Sequence, residues 1–352
     1  MSTFDLLADL PLQIDEYDLE AREANVSSGF LRRSTTYRLR GAGHEGLGED
    51  VGYDGDDQLA LQQAGPVQPL AGSWTLGSFC EHLEALDLWP EPARHAASVD
   101  YRVWGYESAA LDLALRQAGT SLHAHLGREP QPVSFVCSLR LNGPDEAPDV
   151  GRVTRLLERY PTLQFKLDPT PEWTDEIIAT LQGTGAVESV DLKGLYEGTA
   201  VDTVPDPAFY ARIAEAFPDA WIEDPKLTPE TDAALLPHRA RITWDANIHS
   251  VEDVDALLFP PQSVNVKPSR FGPLRRLFRM YDTCGERGIG MYGGGQFELG
   301  VGRGQIQYLA SIFHPDGPND VAPTGYNEPE PPDGLPASPL PVEAHETGLR
   351  WG

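Results

Sequence analysis

The sequence predicts an α/β fold organised around a parallel (β/α) barrel. Five short apolar runs follow one another between residues 162 and 267, and each ends on a carboxylate or a lysine 22 to 32 residues after the previous one. This spacing is that of a buried parallel strand followed by a crossover helix. Residues 172–181 and 208–217, between the runs, are apolar at helical spacing. The strand C-termini of such a barrel meet at the face that carries its active site.

The residues before these runs predict a smaller α+β domain. Residues 11–53 indicate two alternating strands around a turn-rich segment at 26–30, and residues 74–125 are largely helical, with the longest helix at about 106–118. The Gly-x-Gly-x-x-Gly pattern at 41–46 is not followed by a helix, so we interpret it as a turn and not as a dinucleotide site. We expect this domain to span residues 1–130.

The remaining segments complete the barrel and add a tail. Residues 132–139 and 288–293 are predicted to be its first and seventh strands, and 320–322 to close it. The barrel domain is therefore expected over 131–323. Residues 324–352 are rich in proline and acidic residues, which predicts an extended tail packed on the surface.

Composition excludes several classes of function. The formal charge of −27 argues against nucleic acid or an anionic membrane surface as a partner. No apolar run approaches the roughly 20 residues that span a bilayer, and the first twelve residues contain no Lys or Arg, so we expect neither a membrane span nor a signal segment. The three cysteines form no Cys-x-x-Cys motif. The cytoplasm is the expected location.

Three carboxylates at successive strand ends predict a metal site. Asp191, Glu223 and Asp245 would converge at the barrel mouth. Carboxylate oxygens are the ligands that Mg²⁺ prefers, with Mn²⁺ as the alternative ion. The alternative is that these three acids are ordinary strand-end caps or ion-pair partners.

Lysine usage singles out candidate bases. Only four of the 27 basic residues are Lys, and all four lie at or just after predicted strand ends: Lys166, Lys193, Lys226 and Lys267. A buried Lys can act as a base, whereas Arg cannot be deprotonated in proteins. The alternative for each is an ion-pair partner, which we favour for Lys193 and Lys226.

In order and spacing, these motifs resemble those of the enolase superfamily, in the branch of muconate cycloisomerase, o-succinylbenzoate synthase and mandelate racemase. Asp191, Glu223 and Asp245 match its metal triad, and Lys267 matches its sixth-strand lysine. Residues 293–303 resemble its Gly-rich loop, with Glu298 as the glutamate of that loop. Residues 44–49 and 109–114 are similar to the end of its capping sheet and to the helix that enters its barrel.

One position departs from this pattern. The second strand of relatives usually ends Lys-x-Lys, and here Lys166 matches the first lysine while Asp168 stands in place of the second. Lys193, two residues after Asp191, is a candidate substitute. The stereochemistry of the reaction is therefore left open.

The resemblance implies a modified TIM barrel of (β/α)7β type with an N-terminal α+β capping domain. It implies a Mg²⁺-dependent lyase or isomerase that abstracts the proton α to a carboxylate through a metal-stabilised enediolate, acting on a small carboxylic acid. Lys267 would be the base and Lys166 would hold substrate or act from the opposite face. Asp168, Lys193, Glu298 and Asn247 are candidates for substrate contacts or for orienting a lysine.

Substrate choice in relatives is set by loops, here predicted at 25–33 and 52–65. Two alternatives remain open: an acid-sugar dehydratase, although residues 291–293 lack the usual seventh-strand histidine, and a catalytically inactive metal-binding homologue. A homo-oligomer is expected.

Overall fold

The N-terminal part of the protein is built on a small antiparallel sheet. The computed structural model describes residues 2–142, 146–199 and 201–352. The sheet consists of β2 (Glu16–Asn25), β3 (Leu31–Gly41) and β4 (His44–Asp50), beside a pair formed by β1 (Pro11–Ile14) and β5 (Gly72–Thr75). The helices of this part are α1 (Thr3–Ala8), α2 (Gly55–Ala64), α3 (Leu76–Glu84), α4 (Ala97–Gln117) and α5 (Leu122–Leu126). The predicted α+β arrangement is confirmed.

Two glycines allow the long helix α4 to lie directly on this sheet. A Cβ atom at Gly46 would lie 2.2 Å from the carbonyl oxygen of Ala109, and one at Gly48 would lie 2.1 Å from that of Gly105. Any larger residue would force the helix away from the sheet. The glycines in and after the 41–46 motif therefore allow the tight turn between β3 and β4 and the close packing of α4. This agrees with the interpretation of the motif as a turn.

A curled parallel sheet of seven strands forms the barrel. Its order is β12-β11-β10-β9-β8-β7-β6, so each strand pairs with its neighbours in the sequence. Parallel bridges join Asn319 to Phe135 and Asp320 to Gly294, which places this segment between the first and last strands, where closure was predicted. The strands are β6 (Val136–Arg140), β7 (Gln164–Asp168), β8 (Val187–Asp191), β9 (Trp221–Glu223), β10 (Ile242–Trp244), β11 (Ser263–Asn265) and β12 (Gly290–Tyr292).

Helices connect these strands on the outside of the barrel. They are α6 (Gly151–Arg159), α7 (Asp175–Thr184), α8 (Pro207–Ala216), α9 (Pro229–Leu235), α10 (Val251–Asp255), α11 (Pro268–Phe271), α12 (Leu274–Arg287) and α13 (Val301–Phe313). Short 3₁₀ helices occupy Leu236–Arg241 and Thr324–Asn327. Within the described ranges, no helix combines the length and apolar character needed to cross a membrane.

Several predicted elements differ from the structure. The N-terminal sheet has a third strand, β4, and the longest helix begins nine residues earlier than predicted, at Ala97. The predicted loop at 52–65 is wrong, because α2 occupies most of it. Its N-cap is Asp54, whose side chain accepts hydrogen bonds from two backbone N–H groups of the first turn. The apolar pattern of the sequence does not reveal this helix, because most of its residues are polar and Leu61 is its one buried aliphatic side chain.

The tail crosses the barrel and returns to the N-terminal part. Leu340 pairs with Val133 ahead of the first barrel strand. Further on, the buried Leu349 donates its backbone N–H to Asp112 of α4 over 2.8 Å, and the Arg350 guanidinium donates to the same carboxylate over 2.6 Å. The tail is therefore fixed by hydrogen bonds near its middle and close to residue 352.

Candidate active site at the carboxyl ends of the barrel strands

Buried carboxylates converge where β8, β9 and β10 end. One oxygen each from Asp191, Glu223 and Asp224 lie within 4.8 Å of one another, and all three residues are buried. Asp245, which the sequence predicted as the third ligand, is also fully buried but lies outside that group. Asp224 instead accepts the backbone N–H groups of Asp245 and Ala246, over 2.7 and 2.9 Å. The structure thus presents four acids where three were predicted.

Lys166 reaches this cluster from the second barrel strand. Its amine donates to Glu223 and lies 3.2 Å from an oxygen of Asp191 and 3.9 Å from one of Asp320. Burial alone would lower the pKa of Lys166, but Glu223 and Asp191 outweigh it and hold that pKa well above the ordinary value. Lys166 is therefore a cation held among carboxylates.

Lys267 approaches from the other side of the barrel and binds Asp245. The distance from its amine to the Asp245 Oδ2 atom is 2.7 Å, and the buried Arg270 donates to Oδ1 and to the carbonyl of the same residue. Burial would raise the pKa of Asp245, but Arg270 and Lys267 outweigh burial and keep it well below its ordinary value. Asp245 thus stays ionised and fixes the positions of both side chains.

Asp168 and Lys193 form a pair one step nearer the mouth. The Lys193 amine lies 3.6 Å from an Asp168 oxygen and also donates to Asp191. Burial raises the pKa of Asp168 to about 6, against the opposing effect of Lys193. Asp168, which stands in place of the second lysine of the superfamily pattern, therefore lies beside Lys193, the candidate substitute for that lysine.

The other two predicted residues lie apart from this cluster. Glu298 is buried, accepts the Gln296 N–H over 2.6 Å and lies 2.9 Å from Arg303. Asn247 is exposed on the loop after β10. Glu298 therefore holds its own loop, while Asn247 faces solvent at the strand ends.

The structure adds residues that the sequence reasoning did not assign to the site. The Tyr292 hydroxyl donates to Glu223 over 2.6 Å, and the Tyr196 hydroxyl donates to Asp245 over 3.2 Å. Arg270 and Asp320 also contact the cluster, as described above. Tyr292 and Asp320 were placed on predicted strands, but only the fold shows that their side chains reach across the interior.

Backbone strain is concentrated at this end of the barrel. Among the residues that the structure describes, four non-glycine residues have positive φ. Three of them follow barrel strands: Lys193 at 52°, Asp224 at 50° and Phe297 at 53°. Each such residue costs about 1 kcal/mol or more, and such strain clusters at functional sites. The loops after β8, β9 and β12 are thus held in conformations that the rest of the fold enforces.

An aromatic group lies where the N-terminal domain meets the barrel. The Phe297 ring packs edge-on against Phe30, with centroids 5.8 Å apart, and Phe30 lies 6.3 Å from Tyr53. Beneath them, the fully buried Arg32 donates to carbonyl groups of the N-terminal domain and to that of Gln296. This guanidinium therefore ties the N-terminal domain to the loop that carries Phe297.

A carboxylate from the N-terminal domain makes a second connection. Glu49, at the end of β4, accepts the backbone N–H groups of Leu299, Gly300 and Gly302 over 2.8 to 3.2 Å. These amides lie at the start of α13. There a carboxylate accepts hydrogen bonds from N–H groups that have no partner within the helix and interacts favourably with the positive end of the helix dipole. The N-terminal domain thus caps a barrel helix directly after the Gly-rich loop.

Comparison with known proteins identifies the family. The model for the C-terminal domain of a family of unknown function, DUF8230, matches residues 129–328, and the model for its N-terminal domain matches residues 5–125. The chain belongs to the DUF8230 family. Its C-terminal domain carries the carboxylate cluster and all four lysines.

Curated relatives of this DUF8230 protein are named as enzymes. It is 25% identical to o-succinylbenzoate synthase of Geobacillus kaustophilus, over 67% of this chain and 65% of the relative. It is 30% identical to N-succinylamino acid racemase of Amycolatopsis, over 61% and 58%, and 33% identical to o-succinylbenzoate synthase of Bacillus subtilis, over 62% and 58%. The chain spans less than two thirds of the length of these relatives.

Solved structures agree on the fold. A probable mandelate racemase from Alicyclobacillus acidocaldarius has a TM-score of 0.65 at 20% identity, covering 91% of this chain and 88% of that one. An enolase superfamily member from Listeria innocua gives 0.64 at 16%, covering 89% and 86%, and muconate lactonizing enzyme from Pseudomonas putida gives 0.62 at 18%, covering 88% of both. The predicted resemblance to the enolase superfamily is confirmed.

Proposed function

We propose that this protein is a metal-dependent enzyme that removes the proton α to the carboxylate of a small carboxylic acid. The observation that carries the proposal is the position of two lysines on opposite sides of the barrel. Lys166 lies on β7 and Lys267 follows β11, four strands further along, and both amines contact buried carboxylates. The relatives named as a synthase and a racemase support this reaction class.

The carboxylate cluster fits a divalent ion such as Mg²⁺ or Mn²⁺. Its oxygens are hard donors, buried and grouped within a few ångströms. Asp191 and Glu223 would hold the ion with a third carboxylate, either Asp245, as the motif implies, or Asp224, which lies nearer to them. When bound, the ion would supply positive charge against the negative charge that develops on the substrate carboxylate as the proton leaves.

The lysines define what the chain itself contributes. With the α-carbon between them, the neutral amine of Lys267 takes the proton at Nζ. Lys166 faces the opposite side, where a bound ion would offset the carboxylates that otherwise keep it protonated. A reaction that inverts the configuration would use both lysines, one on each face of the α-carbon. A reaction that removes water from the same face as the proton would use only one. Asp168 and Lys193 lie toward the mouth and are proposed to contact the substrate.

The far end of the substrate is proposed to meet the aromatic group of Phe30, Tyr53 and Phe297. Tyr53 exposes 43% of its surface there, which is high for a large side chain that packs against another ring, Phe30. An apolar substituent would cover this surface. We therefore propose an acid with an apolar group, such as an N-acylated apolar amino acid.

Deuterium exchange at the α-carbon tests the proposal. The native protein would be incubated with Mg²⁺ in D₂O with a panel of N-succinyl and other N-acyl amino acids of both configurations and with simpler carboxylic acids, and exchange followed by NMR. Lys267→Met and Lys166→Met are expected each to abolish exchange from one configuration. Lys226→Met is the matched control, because Lys226 is 38% exposed and pairs with Glu197 outside the cluster.

Two outcomes would count against the proposal. Absence of exchange across the panel, in a protein that binds Mg²⁺, would favour a metal-binding protein without catalysis. Exchange that survives for both configurations in each of the two lysine variants would remove the lysines from the reaction. Assembly as a homo-oligomer and a cytoplasmic location stay predictions, the first of which light scattering on purified protein would check.

A further inference from the structure

Tyr292 makes a hydrogen bond inside the barrel that the proposed reaction does not explain. It is the last residue of β12 and is 2% exposed. Its hydroxyl donates to the Oε2 atom of Glu223 over 2.6 Å. Glu223 ends β9, which is separated from β12 by two other strands, so this bond crosses the barrel interior.

With this hydrogen bond, both oxygens of the Glu223 carboxylate have a donor. Oε1 accepts from Lys166, and Oε2 accepts from Tyr292. The two donors differ in kind, since Lys166 is a cation that the proposed reaction deprotonates or moves, whereas the phenol is neutral and keeps its proton at neutral pH. Tyr292 is therefore the partner of Glu223 that stays in place throughout a reaction cycle.

The position of the hydroxyl is itself determined by the barrel. Thr243 on β10 donates its side-chain hydroxyl to the Ser263 carbonyl over 2.8 Å and lies 3.2 Å from the Tyr292 oxygen. Since Tyr292 and Thr243 are both fully enclosed, the phenol has little freedom to turn away from Glu223. The arrangement presents one fixed donor to one carboxylate oxygen.

We propose that Tyr292 is a positioning residue that holds the Glu223 carboxylate in the orientation needed to bind the divalent ion. The proposal rests on the metal site of the proposed function. A carboxylate that has lost one of two fixed donors can rotate, and its buried oxygen is left without a partner. Outer partners of metal ligands typically change affinity 10- to 100-fold when removed, which is the effect expected here.

The test compares Tyr292→Phe with the native protein, since this change removes one oxygen and keeps the ring. Binding of Mn²⁺ is measured by electron paramagnetic resonance and of Mg²⁺ by calorimetry. Tyr308→Phe is the matched control, because Tyr308 is equally buried and its hydroxyl contacts His123, a residue outside the carboxylate cluster. We expect Tyr292→Phe to bind both ions at least tenfold more weakly and Tyr308→Phe to bind them as the native protein does.

Thermal unfolding with and without Mg²⁺ separates positioning from a merely structural role. A structural role lowers the melting temperature of Tyr292→Phe equally in both conditions, whereas positioning reduces the stabilisation that Mg²⁺ provides. Affinity of Tyr292→Phe within twofold of native would overturn the role of Tyr292 alone. Failure of the native protein to bind either ion would overturn the metal site and the proposed function with it.

Discussion

Glu107 allows a quantitative prediction about pH and stability. It lies on α4 with no exposed surface, and its carboxylate accepts the backbone N–H of Leu274, at the start of α12, over 2.6 Å. Burial raises the pKa of Glu107 from its ordinary 4.5 to about 7, and the hydrogen bonds from Leu274 and Cys80 only partly oppose this. The protein therefore folds around a carboxyl group that prefers to be protonated.

The sign and size of the effect follow from linkage. A carboxyl whose pKa is raised on folding contributes stability that is fully present below about pH 4.5 and is lost as pH rises through about 7. Each pKa unit corresponds to about 1.4 kcal/mol, so the loss amounts to about 3 kcal/mol. Glu107→Gln keeps the shape and an acceptor for Leu274 but cannot ionise, and it should not show this loss.

Urea unfolding of the native protein and of Glu107→Gln at pH 4.5, 6 and 8 measures the effect. The difference in free energy of unfolding should shift in favour of the variant by about 3 kcal/mol between pH 4.5 and 8. Because the two proteins share all their other titrating groups, the contributions of those groups to the free energy of unfolding cancel in this difference. Glu158→Gln, an exposed change on α6 of the barrel, is the control for removing a carboxylate that does not contact Glu107. Parallel curves for Glu107→Gln and the native protein would refute the reasoning.

Further predictions concern the loop beside Lys267 and a buried histidine. Gly294→Ala would place a Cβ atom 2.3 Å from the Lys267 Cε, so we expect it to lose exchange from the same configuration as Lys267→Met, with the fold retained by circular dichroism. Gly183→Ala, where nothing lies within 4 Å, should leave activity unchanged. Burial lowers the pKa of His314 to about 4. Folding stability should therefore fall by about 3 kcal/mol as pH drops from 6.5 to 4, and His314→Gln should reduce that fall in urea titrations.

The sequence located the strand ends well because a parallel barrel repeats one pattern. Each buried run is short and apolar and is followed by a polar group, so the pattern alone was enough to assign Asp191 and Glu223 to strand ends and Lys166 to the strand that ends at Asp168. Asp245 and Lys267 lie one and two residues beyond their strands, because the backbone hydrogen bonds between neighbouring strands stop where the chain turns outward. Their role at the mouth does not depend on that difference.

What the sequence could not show are contacts across the barrel and between domains. Tyr292 looked like the place where a histidine was missing, and only the curvature of the sheet brings its hydroxyl to Glu223. Asp224 directly follows the predicted ligand Glu223, and only the structure shows that it accepts hydrogen bonds from two backbone amides beside the cluster. Such distances depend on how far the sheet curls, which no local pattern encodes.

The path of the tail limits how this molecule can open. Leu349 and Arg350 bind Asp112 in the N-terminal domain, while Leu340 is paired to the barrel wall. A chain fastened at both points acts as a strap, so the two domains cannot swing apart without first releasing buried hydrogen bonds.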